Sequence, residues 1–587
     1  MVGNVVQGGG RIRISAAAYQ RGAPASPVAQ AAVDGPTGQL FELVDAMAGR
    51  LLSGLSPGPY GQLTRTAATT TSSLPALKAF LEGERLFRGG DFHPAARAFQ
   101  RAVAEDTTFA LAYYWLSVAS WWADDSKVID SAAALAVRYG GRLSERDRRL
   151  FQAWDAFLRG DALESERVYR QIVGLEPENV EAWLQLGEVL FHSGPRRGGP
   201  IGAARVPFQR VLSFEPEHTS ALLHLARIAA AEQRRVELDS LTERILGLSP
   251  DGEWALEARA LRSYASRDRA EQLRVIADLR TAPEGRIWNT ARYVAVATHE
   301  LEGARELAAL LTEETRPAEV RAFGHLALAH LQVARGRLRA ASAELDRAAA
   351  LDPLPALEHR ALLALLPFVP VSPERLLALR DMLTQGILPG RAATLETSHL
   401  ANLHDGVHPE LRAYLIAGLS LRLGDTATAR AYLAELERPH PAAHATTVGK
   451  DAAGSIRAQL AHLGGGTAEA LREMEEVQRL EARVGLIGGS PFYSEGLERY
   501  LYAGMLQGVG RLEEAVRWYG SFSSNSLFDF VFLAPSHAAR GRISERLGRR
   551  REAAAEYGRA VQLLRDADPE MGPLVRELEQ GLRRVKD

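Results

Sequence analysis

The chain has 587 residues, 46% hydrophobic and 24% charged, a composition that suits a folded protein with room for several domains or one extended array. A formal net charge of −2 excludes a global basic footprint for nucleic acid, and the lack of cysteine excludes disulfides, thiolate metal sites and cysteine nucleophiles. The most apolar run, Ala361–Val371, is broken by Pro367 and Pro370 and falls short of the ~20 residues a spanning helix needs. The start, MVGNVVQGGGRIR, lacks the apolar core of a secretory signal, so the expectation is a cytoplasmic chain with no membrane association.

Residues 1–65 differ from all that follow. GGGRIRISAAAYQ sets Ile12 and Ile14 against Arg11, Arg13 and Ser15, the period-two pattern of a half-buried strand. PVAQAAVDG reads as its partner strand. TGQLFELVDAMAGRLLSGL then puts Leu40, Phe41, Leu43, Val44, Met47, Leu51 and Leu52 on one helical stripe. Residues 66–75 form a small, polar linker whose Ser73 is a helix N-cap candidate. Ala, Leu, Arg and Glu dominate thereafter, and each stretch reads as a helix followed by a short break.

A fixed period organises these helices. Pro216 and Pro250 are 34 residues apart, Pro250 and Pro353 three such periods plus one residue, and Pro177 and Pro216 one period plus five. Within VEAWLQLGEVLFHSGPRRGGPIGAARVPFQRVLSFEPEH, Trp183, Leu186, Gly187 and Leu190 match a first-helix signature, and Ala204, Phe208, Val211 and Pro216 match a second. The pattern recurs with Gly83, Leu86, Ala95, Phe99 and Ala102, with Leu328, Ala329, Ala341, Leu345, Ala348 and Pro353, and with Gly541, Ala553, Tyr557 and Ala560. On these residues the chain resembles the tetratricopeptide repeat, a 34-residue helix-turn-helix unit. The resemblance implies a mainly α fold, a superhelical α-solenoid preceded by a short β-hairpin and helix. It is firm for at least five units between Ala76 and Arg565, with a degenerate signature over Gly252–Pro317 and Pro353–Glu495; the array divides into 76–350, the degenerate pairs of 351–495, and 496–587, where PLVRELEQGLRRVKD reads as a capping helix. Residues 1–65 in turn resemble the last third of the TolB-like domain, which in bacterial regulators lies between an effector, a protein kinase or a winged-helix domain, and a tetratricopeptide array.

Gly194–Pro200 poses the one question of chemistry along the array, because a glycine-rich loop opening a helix can cradle a phosphate. It lacks the Gly-Lys-Ser/Thr ending of a phosphate loop, and no strand precedes it. Gly187 and Ala204 are 17 residues apart here, against 12 between Gly83 and Ala95, so the loop is an insertion within one repeat. Arg196 and Arg197 leave it a possible anion or partner contact. His399, His404 and His408, near Asp405 and Glu410, and the pair His440 and His444 read as loop histidines among helix-breaking prolines, so no metal is expected. Neither Ser455 nor Ser490 has the frame of a serine nucleophile, and no cofactor or catalytic constellation is expected.

The remaining lead is aromatic. In tetratricopeptide arrays the first helices line the surface that takes partner peptides. That resemblance places Tyr114, Val118, Trp121, Leu150, Trp154, Phe157, Glu181, Leu184, Glu188 and Phe191 on a peptide-binding groove. The competing reading is that Trp115, Trp122 and Trp154 pack between repeats. The expectation is a non-catalytic scaffold or sensory module binding a protein or peptide, with self-association left open. The alternative is the regulatory C-terminal part of a signalling protein, a kinase or winged-helix regulator.

Overall fold

A computed structural model describes residues 2–19, 26–37, most of 43–51, 71–123, 126–143, 145–252, 254–298, 301–385, 403–404, 406–438, 448–478, 484–523 and 526–586. The chain begins with an antiparallel sheet, β1 (Val2–Gly8), β2 (Arg11–Ala18) and β3 (Ala29–Pro36), in that spatial order. Gly9 and Gly10, both at positive φ, make the two-residue turn that joins β1 to β2. Val5, Ile14 and Val33 are register partners across the sheet, and Met47, Leu51 and Leu43 from the following helical segment pack onto Val33 and Ile14. Val44 of the expected stripe is exposed, while Leu40, Phe41 and Leu52 lie outside the described residues. β1 is a strand the sequence pattern did not announce. Val5 and Val6 are adjacent, and Gly3, Asn4 and Gln7 interrupt any alternation.

The rest is helical: α1 (Leu74–Arg88), α2 (Phe92–Glu105), α3 (Ala110–Trp122), α4 (Ser126–Tyr139), α5 (Glu145–Leu158), α6 (Ala162–Leu175), α7 (Val180–His192), α8 (Arg205–Phe214), α9 (Thr219–Ala231) and α10 (Arg235–Leu248). There follow α11 (Ala255–Ser266), α12 (Arg269–Leu279), α13 (Glu284–Thr298), α14 (Leu301–Ala308), α15 (Ala318–Ala334), α16 (Leu338–Leu351), α17 (Pro353–Leu365), α18 (Pro373–Gln385), α19 (His408–Arg422) and α20 (Thr426–Leu436). The last are α21 (Val448–Leu463), α22 (Thr467–Val477), the short α23 (Val484–Gly489) and α24 (Pro491–Ser494), then α25 (Gly496–Gly508), α26 (Leu512–Tyr519), α27 (Leu533–Arg546), α28 (Arg550–Leu563) and α29 (Gly572–Lys586).

Successive helices pair through turns with a common device. Gly90, Gly160, Gly336, Gly424, Gly510 and Gly548 end first helices at positive φ, the left-handed cap that lets the chain reverse. An N-cap often follows: Asp161 accepts from the Glu164 N–H and Asp425 from the Thr428 N–H. Within a pair, the missing Cβ of one helix is the seat of an aromatic ring from the other. A Cβ at Gly83 would lie 2.7 Å from Phe99, at Gly187 2.6 Å from Phe208, and at Gly541 2.7 Å from Tyr557. This packing makes the chain a tetratricopeptide-type α-solenoid.

Two compact units result, one of Met1–Phe191, Ala204–Ala226 and Val236–Ala258, the other of His192–Ala203, Arg227–Arg235 and Arg259–Asp587. In the first, the turn after α1 meets residues far along the chain: a Cβ at Gly90 would lie 3.2 Å from Thr219, and Phe92 and Trp122 both reach the Trp254 ring. In the second, the α15–α16 turn meets the α28–α29 turn. The Asp568 N–H donates to the Gly336 carbonyl, the Arg339 N–H donates to the Asp568 carboxylate, and Arg335 and Arg337 pair with Asp566.

Gly187→Val forces a branched side chain against the Phe208 ring and should cost about 1–3 kcal/mol. Gly174 in α6 has open space around its Cβ position, so Gly174→Ala should stabilise by about 0.5–1 kcal/mol. Thermal melts followed by far-UV circular dichroism should move in opposite directions; a Gly187→Val chain that melts like the wild type refutes the packing.

Candidate functional site

The aromatic cluster of the first unit follows from the register of α3, ALAYYWLSVASWW. Trp115 and Trp122 share one stripe and face back onto Phe87 and Phe99. Tyr114, Val118 and Trp121 share the next stripe and face α5. There Tyr114 stacks on Phe151 at 4.9 Å, and Trp121 meets Trp154 at 6.0 Å and Phe157 at 5.9 Å. The Trp154 indole N–H donates to Ser117 Oγ (2.9 Å), which donates to the Ile129 carbonyl, tying α5, α3 and α4 together.

A polar thread runs behind these rings. The Tyr114 hydroxyl donates to Glu181 Oε1 (2.6 Å), and Gln185 donates to the same oxygen. Burial pushes the Glu181 carboxyl up to about 7, against those hydrogen bonds. Glu188 lies 3.5 Å from His224, whose ring also meets Phe191 edge-on. Tyr114, Val118, Leu150, Trp154, Phe157, Glu181, Leu184, Glu188 and Phe191 are all buried, and only Trp121 of the expected groove is half-buried. Trp115 and Trp122 are buried as well. The turn of the first pair meeting Thr219 and Trp254 helps close this face, a long-range contact that the repeat pattern does not encode.

In the second unit, three stretches that depart from the 34-residue period meet one another. The first is the Gly194–Pro200 loop. Expected as an insertion whose Arg196 and Arg197 could contact an anion or partner, it forms a 3-10 turn, Pro195–Arg197, closed by Gly198 at φ +75. Arg197 is half-buried, but Arg196 is only 2% exposed and donates to Glu495 Oε2 (3.2 Å) and the Ser494 carbonyl (3.3 Å). The correction is one of direction: the guanidinium points inward because a buried carboxylate awaits it. Burial and nearby Asp451 push the Glu495 carboxyl up, and Arg196 opposes that shift. The second stretch is 484–495, where the Gly488 carbonyl accepts from the Trp288 indole N–H. The third, Gly520–Phe532, is held by Arg499 of α25, which donates to Asp529, to Ser521 and to the Ser494 carbonyl, all buried.

Histidines gather beside these stretches. His330 Nε2 and His359 Nδ1 are 3.1 Å apart, His404 Nε2 is 2.7 Å from Ser490 Oγ, and His408 Nδ1 is 2.7 Å from Glu358 Oε1. His404 was expected in an exposed turn; it is buried because Ser490, Phe492 and Tyr493 close over it. Ser490 accepts the Phe492 and Tyr493 N–H groups, an N-cap role. Ser455 donates to Glu498, which also takes the Tyr414 hydroxyl. Asp405, His399, His440 and His444 lie outside the described residues. Burial pushes His330 down to about 3 and His359 and His404 well below the ordinary histidine range, so all three are neutral above pH 6.5. Among the described residues no helix is long and apolar enough to cross a membrane.

Fold and interior together define a helical-repeat fold of tetratricopeptide type. Neither a family model nor a curated protein matches the chain. Similar solved structures include YrrB, described as a TPR protein with an unusual peptide-binding site, at 19% identity over 31% of this chain and 91% of that one, TM-score 0.19. Yeast Tom70 is 13% identical over 87% of this chain and 95% of its own, TM-score 0.30. Human IFIT1, solved with m7Gppp-AAAA, is 9% identical over 83% and 90%, TM-score 0.25.

Because His330 resists protonation in the folded state but not in the unfolded chain, folding loses about 1.4 kcal/mol per pH unit on its account below pH 6.5, down to about pH 3. His330→Gln lacks that term. Its stability deficit against the wild type should therefore shrink as pH falls from 6.5 to 5, read by urea denaturation at each pH. A deficit that stays constant with pH would show that His330 titrates normally.

Proposed function

We propose that the chain is a non-catalytic scaffold that binds peptides or helices of partner proteins, in keeping with a repeat array whose first helices present one continuous surface. The observation that carries this reading is Trp121, half-buried on a floor of Trp154 and Phe157, with the rest of the expected set, Tyr114, Val118, Leu150, Glu181, Leu184, Glu188 and Phe191, buried on α3, α5 and α7. A rigid aromatic platform with one accessible tryptophan is the kind of anchor on which protein interfaces concentrate their energy. The partner is protein, bound without a cofactor.

A second reading, a regulatory module of a signalling protein, is favoured by β1. Its Val2, Val5 and Val6 are 66, 59 and 58% exposed along a sheet edge, and an apolar edge of this kind accepts another strand.

Panning a displayed peptide library against the immobilised chain tests the first reading. Trp121→Ala should weaken the selected peptides at least tenfold and leave the melting temperature within a few degrees. Trp154→Ala, by contrast, should cost about 3–5 kcal/mol of stability because its ring is core and its N–H is bonded to Ser117. A library that yields no binder, or binders indifferent to Trp121→Ala, overturns the reading.

A further inference from the structure

The connection between α26 and α27 is out of keeping with a regular repeat. In the regular repeats a few residues join one pair to the next, as Asp106–Phe109 does between α2 and α3. Here Gly520–Phe532 intervenes and forms two 3-10 turns, Ser521–Ser523 and Leu527–Phe532, the second wholly buried. Leu527–Phe532 lies against first helices of three consecutive pairs. The Phe528 ring sits 5.5 Å from Trp288 of α13, 6.2 Å from Phe323 and 4.9 Å from His330 of α15, and 5.7 Å from His359 of α17. Asp529 pairs with Arg499 of α25. Phe532 rests where Gly496 leaves room, since a Cβ there would be 2.6 Å from its ring.

This is how a short bound peptide is held: an aromatic anchor in a pocket, one charge on an arginine, and a glycine that lets the backbone approach. A core gains little stability from the charge itself. A fully buried ion pair is weak evidence for stability because both groups lose water, and an apolar pair of similar volume often does as well. Besides holding Ser521 and the Ser494 carbonyl, Arg499 selects an acidic residue beside the phenylalanine.

We propose that Leu527–Phe532 is a built-in occupant of a peptide-docking surface formed by α13, α15, α17 and α25, and that a partner segment with a Phe-Asp-Phe core takes its place there. The inference rests on the reading of the chain as a peptide-binding scaffold and adds the partner's chemistry and a means of regulation. In the resting chain the surface is closed, and a partner competes with a tethered segment, so binding to the wild type is weak.

The test uses the full chain and a fluorescein-labelled peptide, Ser-Leu-Phe-Asp-Phe-Val-Phe, followed by anisotropy. Phe528→Ala empties the anchor pocket, and this variant should bind the peptide at least tenfold more tightly than the wild type. Replacing the peptide's Asp by Lys should abolish that gain. A variant that keeps its helical circular dichroism yet binds no better than the wild type overturns the proposal. Should Phe528→Ala lose its helicity, Asp529→Asn, which keeps the volume, carries the same test, and collapse of both places the segment in the core and overturns the proposal equally. Library peptides bound in a Trp121-dependent way, with no binding of the Phe-Asp-Phe peptide, sink this inference alone. Phe-Asp-Phe binding that survives Trp121→Ala upholds it while the Trp121 reading fails.

Discussion

The close approach of two helices over a residue without a side chain is the constraint from which the array is built. At Gly83, Gly187 and Gly541 the backbone of one helix is near enough to an aromatic ring of its partner that a single methyl group would overlap it. That contact sets the distance between the helices of a pair and seats Phe99, Phe208 and Tyr557 at the centre of it. Left-handed glycines at the turns keep the reversal short enough for the next helix to find its place. With geometry fixed inside each pair, stacking pairs buries the alanine- and leucine-rich faces between them.

Where the repeat fails, the second unit becomes specific. The loop at Gly194–Pro200, the stretch 484–495 and the segment Gly520–Phe532 are unrelated in sequence, and Arg196 of the first is 298 residues from Ser494 of the second, yet they share partners. Arg196 reaches Glu495 and the Ser494 carbonyl; Arg499 reaches that same carbonyl together with Ser521 and Asp529. Two buried guanidinium groups on one carbonyl lock the three insertions to each other. Charges so placed add little stability over an apolar substitute, because each loses its water, but removing one partner leaves the other stranded. The arrangement therefore selects one packing of the insertions over others.

The helices, their pairing and the small-on-large signature were legible because they repeat: Gly83 and Gly541 each stand 12 residues before an alanine of the next helix, and Gly187 stands 17 before Ala204. The insertion at Gly194 was legible as a break in that spacing. Its destination was not, since nothing local in Pro-Arg-Arg-Gly-Gly points to Glu495. The same holds for His404, whose neighbours Gly406 and Pro409 suggest a turn while Ser490, far along the chain, buries it. For the ten expected groove residues on α3, α5 and α7, the repeat pattern predicts which helix face they occupy. It does not say whether that face is open, because the contact of Gly90 with Thr219 depends on how tightly the array winds. β1 went unread for the opposite reason, a strand too short and too glycine-rich to show a period.

Long-range contacts also change what kind of array this is. A simple solenoid is close to one-dimensional, each repeat touching only its neighbours, and its stability adds up along the chain. The second unit departs from that model at Trp288 with Gly488, at Phe528 with His359, and at Gly336 with Asp568. The last is a backbone hydrogen bond flanked by Arg335 and Arg337 on Asp566 and by Arg339 on Glu570. Each exposed ion pair there contributes little by itself. As a group they bring the turn before α16 to the turn before α29, so residues 259–587 close into a unit in which fraying from the C-terminal end is opposed by contacts in its middle. Nearest-neighbour unfolding gives way to cooperative unfolding of the whole unit, with the closure at Gly336 and Asp568 tying the turn before α16 to the turn before α29.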